Sequence, residues 1–554
     1  MRIRIGIVSK FLLVAAVTII GCSVTSAETI ILDGASLTAE RVARAARDTE
    51  TLIEIDAAAA QRLEAGFDLV MEAAAQGKAV YGLTVGVGWN KDRPAFEIED
   101  GKRVVSDELL RLSREFNRSQ LRAHGGGFGE ALPSEVVRAS MVIRLNQMLT
   151  GMTGVQPAVA GMYRTFLNEG ITPVVPARGS IGQADITLAS HVGLAMVGEW
   201  YVDYQGKRMP AARALAAAGI SPISPVGKDF LSIISSNSLS AGRAALLSQD
   251  ADRFLRQSTV VFGLALEGYN GNVAPFLSET TGIRPFAGMN KAASMITSAL
   301  EGSYLWSMSN TRGLQDPLSF RTMAYALGSG LEASGALRNA LEIHINHTDD
   351  NPVTIAGHQY DGQSGQVKAY QITSDVSGAI YPTANFEMLP VADKVEQLNI
   401  ALARVARAMV MQTIRYENPA LTQLPRFLAA EGNNGLAFGA MQVPLTSLYA
   451  ELRMLAMPVS LDNFGTSAGI EDTASNAPLA LANLDGILEL NYQIASMQLL
   501  HSSQAIDLRN IEDLGAKTKG LYRVYRQVVP FVSKDRVYTE DLAQGVKVLK
   551  EFQP

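Results

Sequence analysis

The most informative stretch of the sequence is Arg178-Gly179-Ser180-Ile181-Gly182-Gln183-Ala184-Asp185-Ile186-Thr187-Leu188-Ala189-Ser190-His191. Prolines and glycines punctuate residues 171–182, so that part is predicted to be a loop. Gly182 is followed only by Gln183 and Ala184 before Asp185 is reached. No serine therefore stands between Gly182 and Asp185.

This stretch resembles the signature loop of the histidine and aromatic amino-acid ammonia-lyases, Gly-Ser-x-Gly-Ala-Ser-Gly-Asp-Leu. In that family Ala-Ser-Gly cyclises into the electrophilic cofactor methylidene-imidazolone. The ring forms when a glycine nitrogen attacks a carbonyl, and its methylidene group comes from a dehydrated serine. Here one residue is deleted and the serine is missing, while Ile181 after Ser180 would obstruct the attack. We therefore predict a lyase scaffold without the family's prosthetic group and with no cofactor.

Length and composition restrict the possible classes of fold and partner. The chain has 554 residues and 47% apolar content, enough for a large buried core. Its net charge is -6 and it contains no basic patch, so a nucleic-acid partner is not expected. Charged residues make up 18% of the chain, which suits extensive buried helix surface, including subunit interfaces.

Residues 1–27 are predicted to form an export signal, which places the mature protein in the periplasm. Arg2, Arg4 and Lys10 flank an apolar run at 11–21, and small residues precede position 28. A second interpretation is a lipoprotein signal in which Cys22 is lipidated and tethers the protein to a membrane. Cys22 is the single cysteine, so no internal disulfide is expected.

Helical periodicity dominates the rest of the chain and predicts a mainly α protein with a long-helix bundle. One apolar stripe consists of Val391, Val395, Leu398, Leu402, Val405 and Met409. Similar spacing runs through residues 136–149, 241–266, 331–345 and 479–500. We predict a loop-rich helical domain at 28–226, a central helical bundle at 227–509 and a helical tail at 510–554.

Tyr81 is the candidate catalytic base. Tyr81-Gly82-Leu83-Thr84-Val85-Gly86-Val87-Gly88 resembles the family's Tyr-Gly-x-x-Thr-Gly-Phe-Gly loop, whose tyrosine removes the β-proton of the substrate. Free tyrosine has a pKa near 10, so a base at neutral pH needs a depressed pKa or a coupled acceptor. The alternative is a turn with a packed tyrosine.

Two further motifs supply candidate substrate-binding residues. His124 opens His-Gly-Gly-Gly-Phe-Gly-Glu, which resembles the family's His-x-x-Gly-x-Gly-Glu, where the histidine contacts the substrate ring. Asn237 falls where the family has Asn-Gly-Thr and would hold the amino or carboxylate end of the substrate. The alternatives are a loop histidine bonded to backbone and a turn or capping asparagine.

Gln315-Asp316-Pro317-Leu318-Ser319-Phe320-Arg321 resembles the family's Gln-Asp-x-Tyr-Ser-x-Arg. A guanidinium grips a carboxylate with two hydrogen bonds, so Arg321 is the predicted carboxylate clamp, with Gln315 assisting. The alternative is a surface salt bridge. Leu318 replaces a tyrosine that stands near the cofactor and the leaving amine in the family, which suggests that the amine end of the pocket was rebuilt.

Other landmarks match in part. Residues 346–352 resemble Asn-Ser-x-Thr-Asp-Asn-Pro and are interpreted as turn residues that end a helix. Asn385 and Phe386 match the family's Gly-Asn-Phe-His-Gly-Gln-Pro, and Phe386 is expected to line the cavity unless it simply packs in the core. Glu451 matches Ser-Glu-Asn-Lys, whose glutamate suits an imidazole or an amine. No set of side chains has good metal-ligand spacing.

The chemistry that remains is an elimination that needs no electrophile. A trimethylammonium group has no lone pair and departs as a neutral amine once the β-proton is removed. Such a betaine needs a base, a carboxylate clamp and room for three methyl groups. The deleted tripeptide and Leu318 would provide that room, and Phe386 and Tyr81 offer aromatic faces for the cation.

The leading hypothesis is a carbon–nitrogen lyase that releases trimethylamine from a histidine-like betaine such as ergothioneine. The resemblance is to the ergothionase branch of the superfamily, which lacks the prosthetic group. The alternatives are an ordinary histidine or aromatic ammonia-lyase and a catalytically inactive amino-acid-binding protein. The resemblance also implies a homotetramer in which each active site draws on three chains.

Overall fold

The computed structural model describes residues 28–94, 107–461 and 464–554, with the side chains of 107–109 left out. The predicted export signal at 1–27, including Cys22, lies outside the described residues. Within these ranges, no helix has the combined length and apolar character needed to cross a bilayer.

The mainly α prediction is confirmed. The described helices are α1 Ala39–Arg47, α2 Ala57–Ala75, α3 Asp107–His124, α4 Ser134–Met148, α5 Pro157–Asn168, α6 Ile186–Met196, α7 Ala211–Ala217, α8 Asp229–Ile234, α9 Ser238–Tyr269, α10 Ser278–Thr281, α11 Ala287–Ala299, α12 Leu318–Arg321, α13 Met323–Ile345, α14 Gly365–Lys368, α15 Leu389–Tyr416, α16 Pro419–Thr422, α17 Gln442–Leu455, α18 Ala477–Arg509, α19 Ala516–Val528 and α20 Thr539–Glu551. Single 3-10 turns lie at Gly88–Asn90, Ala274–Phe276, Tyr304–Trp306, Arg426–Leu428 and Ser467–Gly469.

Strands are short and lie among the loops. They are β1 Thr29–Leu32, β2 Leu52–Ile55, β3 Phe128–Ala131, β4 Thr172–Pro173, β5 Pro176–Arg178, β6 Tyr201–Tyr204, β7 Lys207–Pro210, β8 Val353–Ala356, β9 Gln371–Ile372 and β10 Gly378–Tyr381. β1 and β2 pair in parallel, and the antiparallel orders are β3-β5, β4-β6-β7 and β8-β10-β9. The stretch 171–182, predicted to be a loop, also contains the two short strands β4 and β5, which pair with β6 and β3.

The core is a bundle in which α9, α13, α15 and α18 pack side by side. The stripe predicted from Val391 to Met409 is buried along α15, as its spacing requires. A proline stands in the first turn of both α15 and α18, where its missing N–H costs no helical hydrogen bond. Asn270 follows the last residue of α9 and Asn510 follows that of α18, both in the left-handed conformation that closes helices.

Around the N-terminal end of α9, shorter elements build the wall of a cavity. α4 packs along α9, and α6 packs against α3 and α8. α18 ends at Arg509, and α19 and α20 fold back onto the bundle beside α9 and α18. The division into domains at residues 226 and 509 stays a prediction.

Candidate active site

Tyr81 begins a tight loop over this cavity. Its hydroxyl oxygen accepts a 2.8 Å hydrogen bond from the N–H of Gly88. Gly88 has a φ of +57°, and Gly82 a φ of +69°, a region that glycine enters without strain. A Cβ at Gly82 would lie 2.3 Å from Leu231 Cδ2. The glycines of the motif therefore serve both the turn and the close packing that place the Tyr81 phenol in the cavity wall.

The electrostatic surroundings favour a neutral Tyr81. Burial raises the pKa of the Tyr81 phenol, and the negative charge of Glu471 raises it further, while the Gly88 N–H opposes both effects. The sequence interpretation required a depressed pKa or a coupled acceptor. Within one chain the pKa of Tyr81 moves in the opposite direction, because burial and the charge of Glu471 together outweigh the hydrogen bond from Gly88.

The cavity has a volume of about 780 Å³ and lies between the Tyr81 loop, α3, α6, α8 and the segment that precedes α18. Its wall brings together Tyr81, His124 and Phe386, three of the residues singled out in the sequence. Gln183 and Ala184 of the altered signature loop line the same cavity. Residues more than 300 positions apart in the chain therefore meet at one site.

The His124 ring has a defined orientation in this wall. Nδ1 lies 2.8 Å from the carbonyl oxygen of Gln120, one helical turn earlier. Because a carbonyl oxygen only accepts, Nδ1 carries the hydrogen, and Nε2 of the neutral ring keeps its lone pair. His124 can therefore accept a hydrogen bond from an N–H group of a bound ring.

The altered signature loop is held by a dense set of hydrogen bonds. The Ser180 hydroxyl donates to Asp185 Oδ1 at 2.7 Å and accepts from the N–H of Gly182 at 3.2 Å. Asp185 is fully buried and also accepts from the backbone N–H and hydroxyl of Ser240. Burial raises the pKa of Asp185, and the hydrogen bonds from Ser240 and Ser180 lower it.

The loop residues do not fit the family's prosthetic group. The Ser180 hydroxyl is hydrogen-bonded to Asp185. The carbonyl oxygen of Gly182 accepts a hydrogen bond from the Ser475 hydroxyl at 3.3 Å. Between Gly182 and Asp185 no hydroxyl is present that could be dehydrated. Gln183 instead pairs its backbone with Glu387 in an isolated β-bridge. No step of a mechanism in this chain is therefore assigned to methylidene-imidazolone.

Asn237 lies beneath the cavity, directly before the first turn of α9. Its backbone N–H donates to Asp349 Oδ2 at 2.9 Å, and its Nδ2 donates to the carbonyl oxygen of Phe386. The Ser236 hydroxyl donates to the same Asp349 oxygen at 3.0 Å. Asn237 is fully buried and makes no side-chain cap, so the capping alternative does not apply.

Asp349 belongs to a buried ionic cluster that the sequence interpretation missed. Arg144 pairs with Asp349 at 3.0 Å and with Asp350 at 2.5 Å, and Lys228 pairs with Asp350 at 2.7 Å. All four side chains are at most 2% exposed. The motif at 346–352 does end a helix, because α13 closes at Asn346, but its two aspartates also neutralise buried cations. The available sequence signal for this cluster was Arg144, a charged residue within the apolar run 136–149.

We expect Asp349→Asn to lower the free energy of unfolding by about 3–5 kcal/mol, because it leaves buried positive charge uncompensated. Calorimetric unfolding of the variant and the wild type measures this loss. Asp203→Asn is the matched control, since the Asp203–Arg208 pair at 3.0 Å is largely exposed and such pairs contribute about 1 kcal/mol or less. Equal stability of the Asp349 variant and the control would contradict the role of the cluster.

Gln315 and Arg321 lie far from this cavity. Phe320, next to Arg321, stacks on Tyr269 with ring centroids 4.3 Å apart, at the C-terminal end of α9. Asn237 precedes the N-terminal end of the same helix, whose 32 residues span about 48 Å. Arg321 Nε donates to the Asp316 carbonyl oxygen at 2.8 Å. Within one chain the predicted clamp therefore cannot reach Tyr81.

Two other predicted residues also stand apart from the cavity wall. Glu451 is exposed on α17, and Asn385 is exposed in the turn after β10. Leu318, the replaced family tyrosine, is 64% exposed near Arg321. One chain thus brings the candidate base Tyr81 together with His124 and Phe386, while the predicted clamp and Glu451 lie away from the cavity wall.

Three carboxylates of the wall had no predicted role, Glu387, Glu471 and Asp472. Glu387 takes the place of a family histidine, and this change of chemistry was the available signal. Glu471 accepts a 2.8 Å hydrogen bond from the Thr466 hydroxyl. Among the described residues, no three His, Cys, Asp or Glu side chains are grouped so as to hold a metal ion.

A family model described as aromatic amino acid lyase matches residues 37–527. The chain belongs to the aromatic amino acid lyase family. A histidine ammonia-lyase from Geobacillus thermodenitrificans is 32% identical over 520 residues, covering 93% of this chain and 95% of that relative. The structure of ergothionase from Treponema denticola, in complex with desmethyl-ergothioneine sulfonic acid, matches with a TM-score of 0.86 at 35% identity, covering 94% and 99% of the two chains.

Tyrosine aminomutase from Streptomyces globisporus matches with a TM-score of 0.82 at 26% identity, covering 94% of this chain and 96% of that one. These aromatic amino acid lyase relatives confirm the predicted superfamily and its long-helix fold. They also confirm that the chain is a carbon–nitrogen lyase.

Proposed function

We propose that this lyase eliminates trimethylamine from a histidine-like betaine such as ergothioneine without a prosthetic group. The observation that carries the proposal is the loop from Gly182 to Asp185, which holds no residue able to form the family's electrophile. The 35% identity and full-length match to an ergothionase support the same substrate class. In a betaine the leaving nitrogen is already cationic, so no electrophile is needed to activate it.

The chemistry divides between the two ends of the substrate. The Tyr81 oxygen takes the β-proton, the released electron pair forms the carbon–carbon double bond, and the carbon–nitrogen bond breaks with its pair leaving on nitrogen. The products are an unsaturated acid and neutral trimethylamine. His124 accepts an N–H of the substrate ring, and Arg321 grips the carboxylate. Gln315 and Glu451 complete the site from neighbouring subunits.

The test is to incubate purified protein with ergothioneine, hercynine and histidine and to measure released amines and the absorbance of the unsaturated acid. We expect trimethylamine from a betaine and no ammonia from histidine. The intact mass should equal that of the polypeptide, with no loss of water. Failure to release trimethylamine from any aromatic betaine would end the proposal.

A second candidate function is that of a histidine ammonia-lyase. It is favoured by the 32% identity to the Geobacillus thermodenitrificans enzyme over nearly the whole chain. Ammonia release from histidine, together with a mass deficit equal to the water lost on cyclisation, would establish it. Binding of an amino acid without turnover of any substrate would support instead the inactive binding protein.

We propose further that the protein is a homotetramer, because Arg321 and Tyr81 cannot meet within one chain. Large apolar side chains are exposed on one chain, including Leu314 at 91%, Val443 at 71% and Met454 at 57%. Such surface is typical of a subunit interface. Light scattering tests the assembly, and a monomer with full activity would contradict the shared site.

We also propose export to the periplasm through residues 1–27, with lipidation of Cys22 as the alternative. The order of positive residues, apolar run and small residues supports it. Cell fractionation and mass spectrometry of the mature N-terminus distinguish the two forms. A cytoplasmic protein that retains residue 1 would contradict both.

The pH profile tests the state of Tyr81. The base acts when deprotonated, so kcat/KM is expected to rise with pH, and the raised pKa of Tyr81 places that rise on the alkaline side. Glu471→Gln removes a neighbouring negative charge, which lowers the pKa of Tyr81 and moves the rise to lower pH. The pH profiles of kcat/KM for wild type and Glu471→Gln measure this displacement. An unchanged profile would mean that Glu471 does not influence the pKa of Tyr81.

A further inference from the structure

The cavity wall beside the altered loop presents oxygen acceptors. Gln183 and Glu387 face each other through their isolated β-bridge, and both line the cavity. The Gln183 Oε1 atom is buried and has no hydrogen-bond partner among the described residues. Glu387 is partly buried, and its Oε1 accepts the N–H of Leu389 at 2.9 Å, which anchors the carboxylate at the start of α15.

Asn237 does not line the cavity, but its side chain carries a second buried acceptor of the same kind, which lies behind Phe386. Its Nδ2 donates to the carbonyl oxygen of Phe386, which fixes which way the amide points, because a carbonyl cannot donate. The Asn237 Oδ1 atom is buried and has no partner in the described part of the chain. Buried acceptors without partners are unusual in proteins and call for a ligand or a solvent molecule.

We propose that Glu387, with Gln183 and Phe386 of the same cavity wall, forms the subsite for the quaternary ammonium end of the substrate. This inference rests on the proposed function for the identity of the substrate. A carboxylate and an amide oxygen attract a cation and repel a carboxylate or phosphate. Trimethylammonium spreads its charge over methyl groups, which contact oxygen atoms and the face of an aromatic ring.

The geometry also explains why a carboxylate stands where the family has a histidine. Without the electrophile, no covalent bond retains the amine end of the substrate. Charge attraction from Glu387 takes over that holding role, immediately beside Gln183. Lys91 lines the same cavity, but it pairs with Asp92 at 2.9 Å, which reduces its opposing charge.

This role of Glu387 predicts that its loss changes KM and kcat differently. The nitrogen is cationic in the bound substrate and becomes neutral as trimethylamine leaves. Attraction between Glu387 and the cation is therefore strongest in the ground state and fades toward the transition state. An interaction of this kind lowers KM without raising kcat. Glu387 is thus a specificity residue and not a catalytic one.

The experiment compares Glu387→Gln with wild type in steady-state kinetics on ergothioneine or hercynine. We expect KM to rise about ten- to a hundredfold, as for loss of a partly shielded charge pair, with kcat unchanged or higher. Inhibition by the unsaturated acid product, which has no ammonium group, should be unaffected or slightly stronger. Glu169→Gln, at an exposed glutamate after α5, is the matched control and should change neither constant.

A fall in kcat with KM unchanged, or an equal loss of affinity for substrate and product, would overturn the subsite. If no betaine is turned over, the proposed function fails, and the subsite is tested separately by calorimetric binding of hercynine and histidine to both proteins. There the trimethylated ligand must bind wild type more tightly, and the preference must shrink in the variant. Should Glu387→Gln not fold, Gln183→Met must show a smaller loss of the preference for the trimethylated ligand. Unchanged binding by Gln183→Met would then overturn the subsite.

Discussion

Tyr81→Phe is expected to lower kcat for amine release by about 10²–10⁴-fold, the contribution typical of a positioned general base. The substitution removes only the hydroxyl, which accepts one hydrogen bond from Gly88, so the fold and the aromatic wall of the cavity remain. KM should change little, because the substrate is held mainly by the carboxylate clamp and the ammonium subsite. Stopped assays of trimethylamine at saturating betaine measure the effect.

Tyr201→Phe provides the control. Tyr201 is 47% exposed on β6, outside the cavity wall, and its substitution should leave kcat unchanged. A Tyr81→Phe enzyme with more than a tenth of wild-type kcat would exclude Tyr81 as the base. Unfolding temperatures of the two variants, measured side by side, separate loss of chemistry from loss of folding.

The second large effect is expected from Arg321→Ala, which should raise KM for the betaine by more than a hundredfold through loss of a two-point carboxylate grip. Because Arg321 packs at the opposite end of α9 from the cavity, and α9 is about 48 Å long, it can act as the clamp only in the site of a neighbour. Mixing Tyr81→Phe chains with Arg321→Ala chains, by unfolding and refolding together, should therefore restore activity. Some of the mixed sites then contain both intact residues.

The matched control mixes Tyr81→Phe with a Tyr81→Phe/Arg321→Ala double variant. No site in that mixture has an intact tyrosine, so no activity should return. Restoration in the first mixture and none in the second would establish the shared site. No restoration in either, with tetramers present in both, would place the carboxylate clamp elsewhere.

The helices were predictable because their signal is local. The stripe from Val391 to Met409 repeats with the period of an α-helix, and α15 follows it from Leu389 to Tyr416. Breakers at 125–127 and 433–435 were likewise found outside regular elements. β4 and β5 were missed because their pairing energy comes from strands remote in sequence, which no local pattern contains.

The candidate site was only partly predictable, for a similar reason. Tyr81, His124 and Phe386 belong to motifs whose residue types point to chemistry, and they do meet in one cavity. Glu387 replaces a family histidine, but the sequence did not show that this carboxylate lies beside Gln183 in the cavity wall. Arg144 within the apolar run 136–149 signalled a buried cation, but its partners Asp349 and Asp350 were not predictable, because they resemble ordinary turn residues and lie about 200 positions away.

By itself, the amino-acid sequence determined the long-helix architecture and the loss of the self-made electrophile, since both depend on neighbouring residues along the chain. No serine lies between Gly182 and Asp185, and folding cannot supply a residue that the sequence lacks. Only the tertiary structure decided which groups surround that gap, that carboxylates line the cavity with Tyr81, and that Arg321 lies away from the Tyr81 cavity of its own chain. Those relations depend on how rigid helices pack, and packing joins residues that the chain keeps hundreds of positions apart.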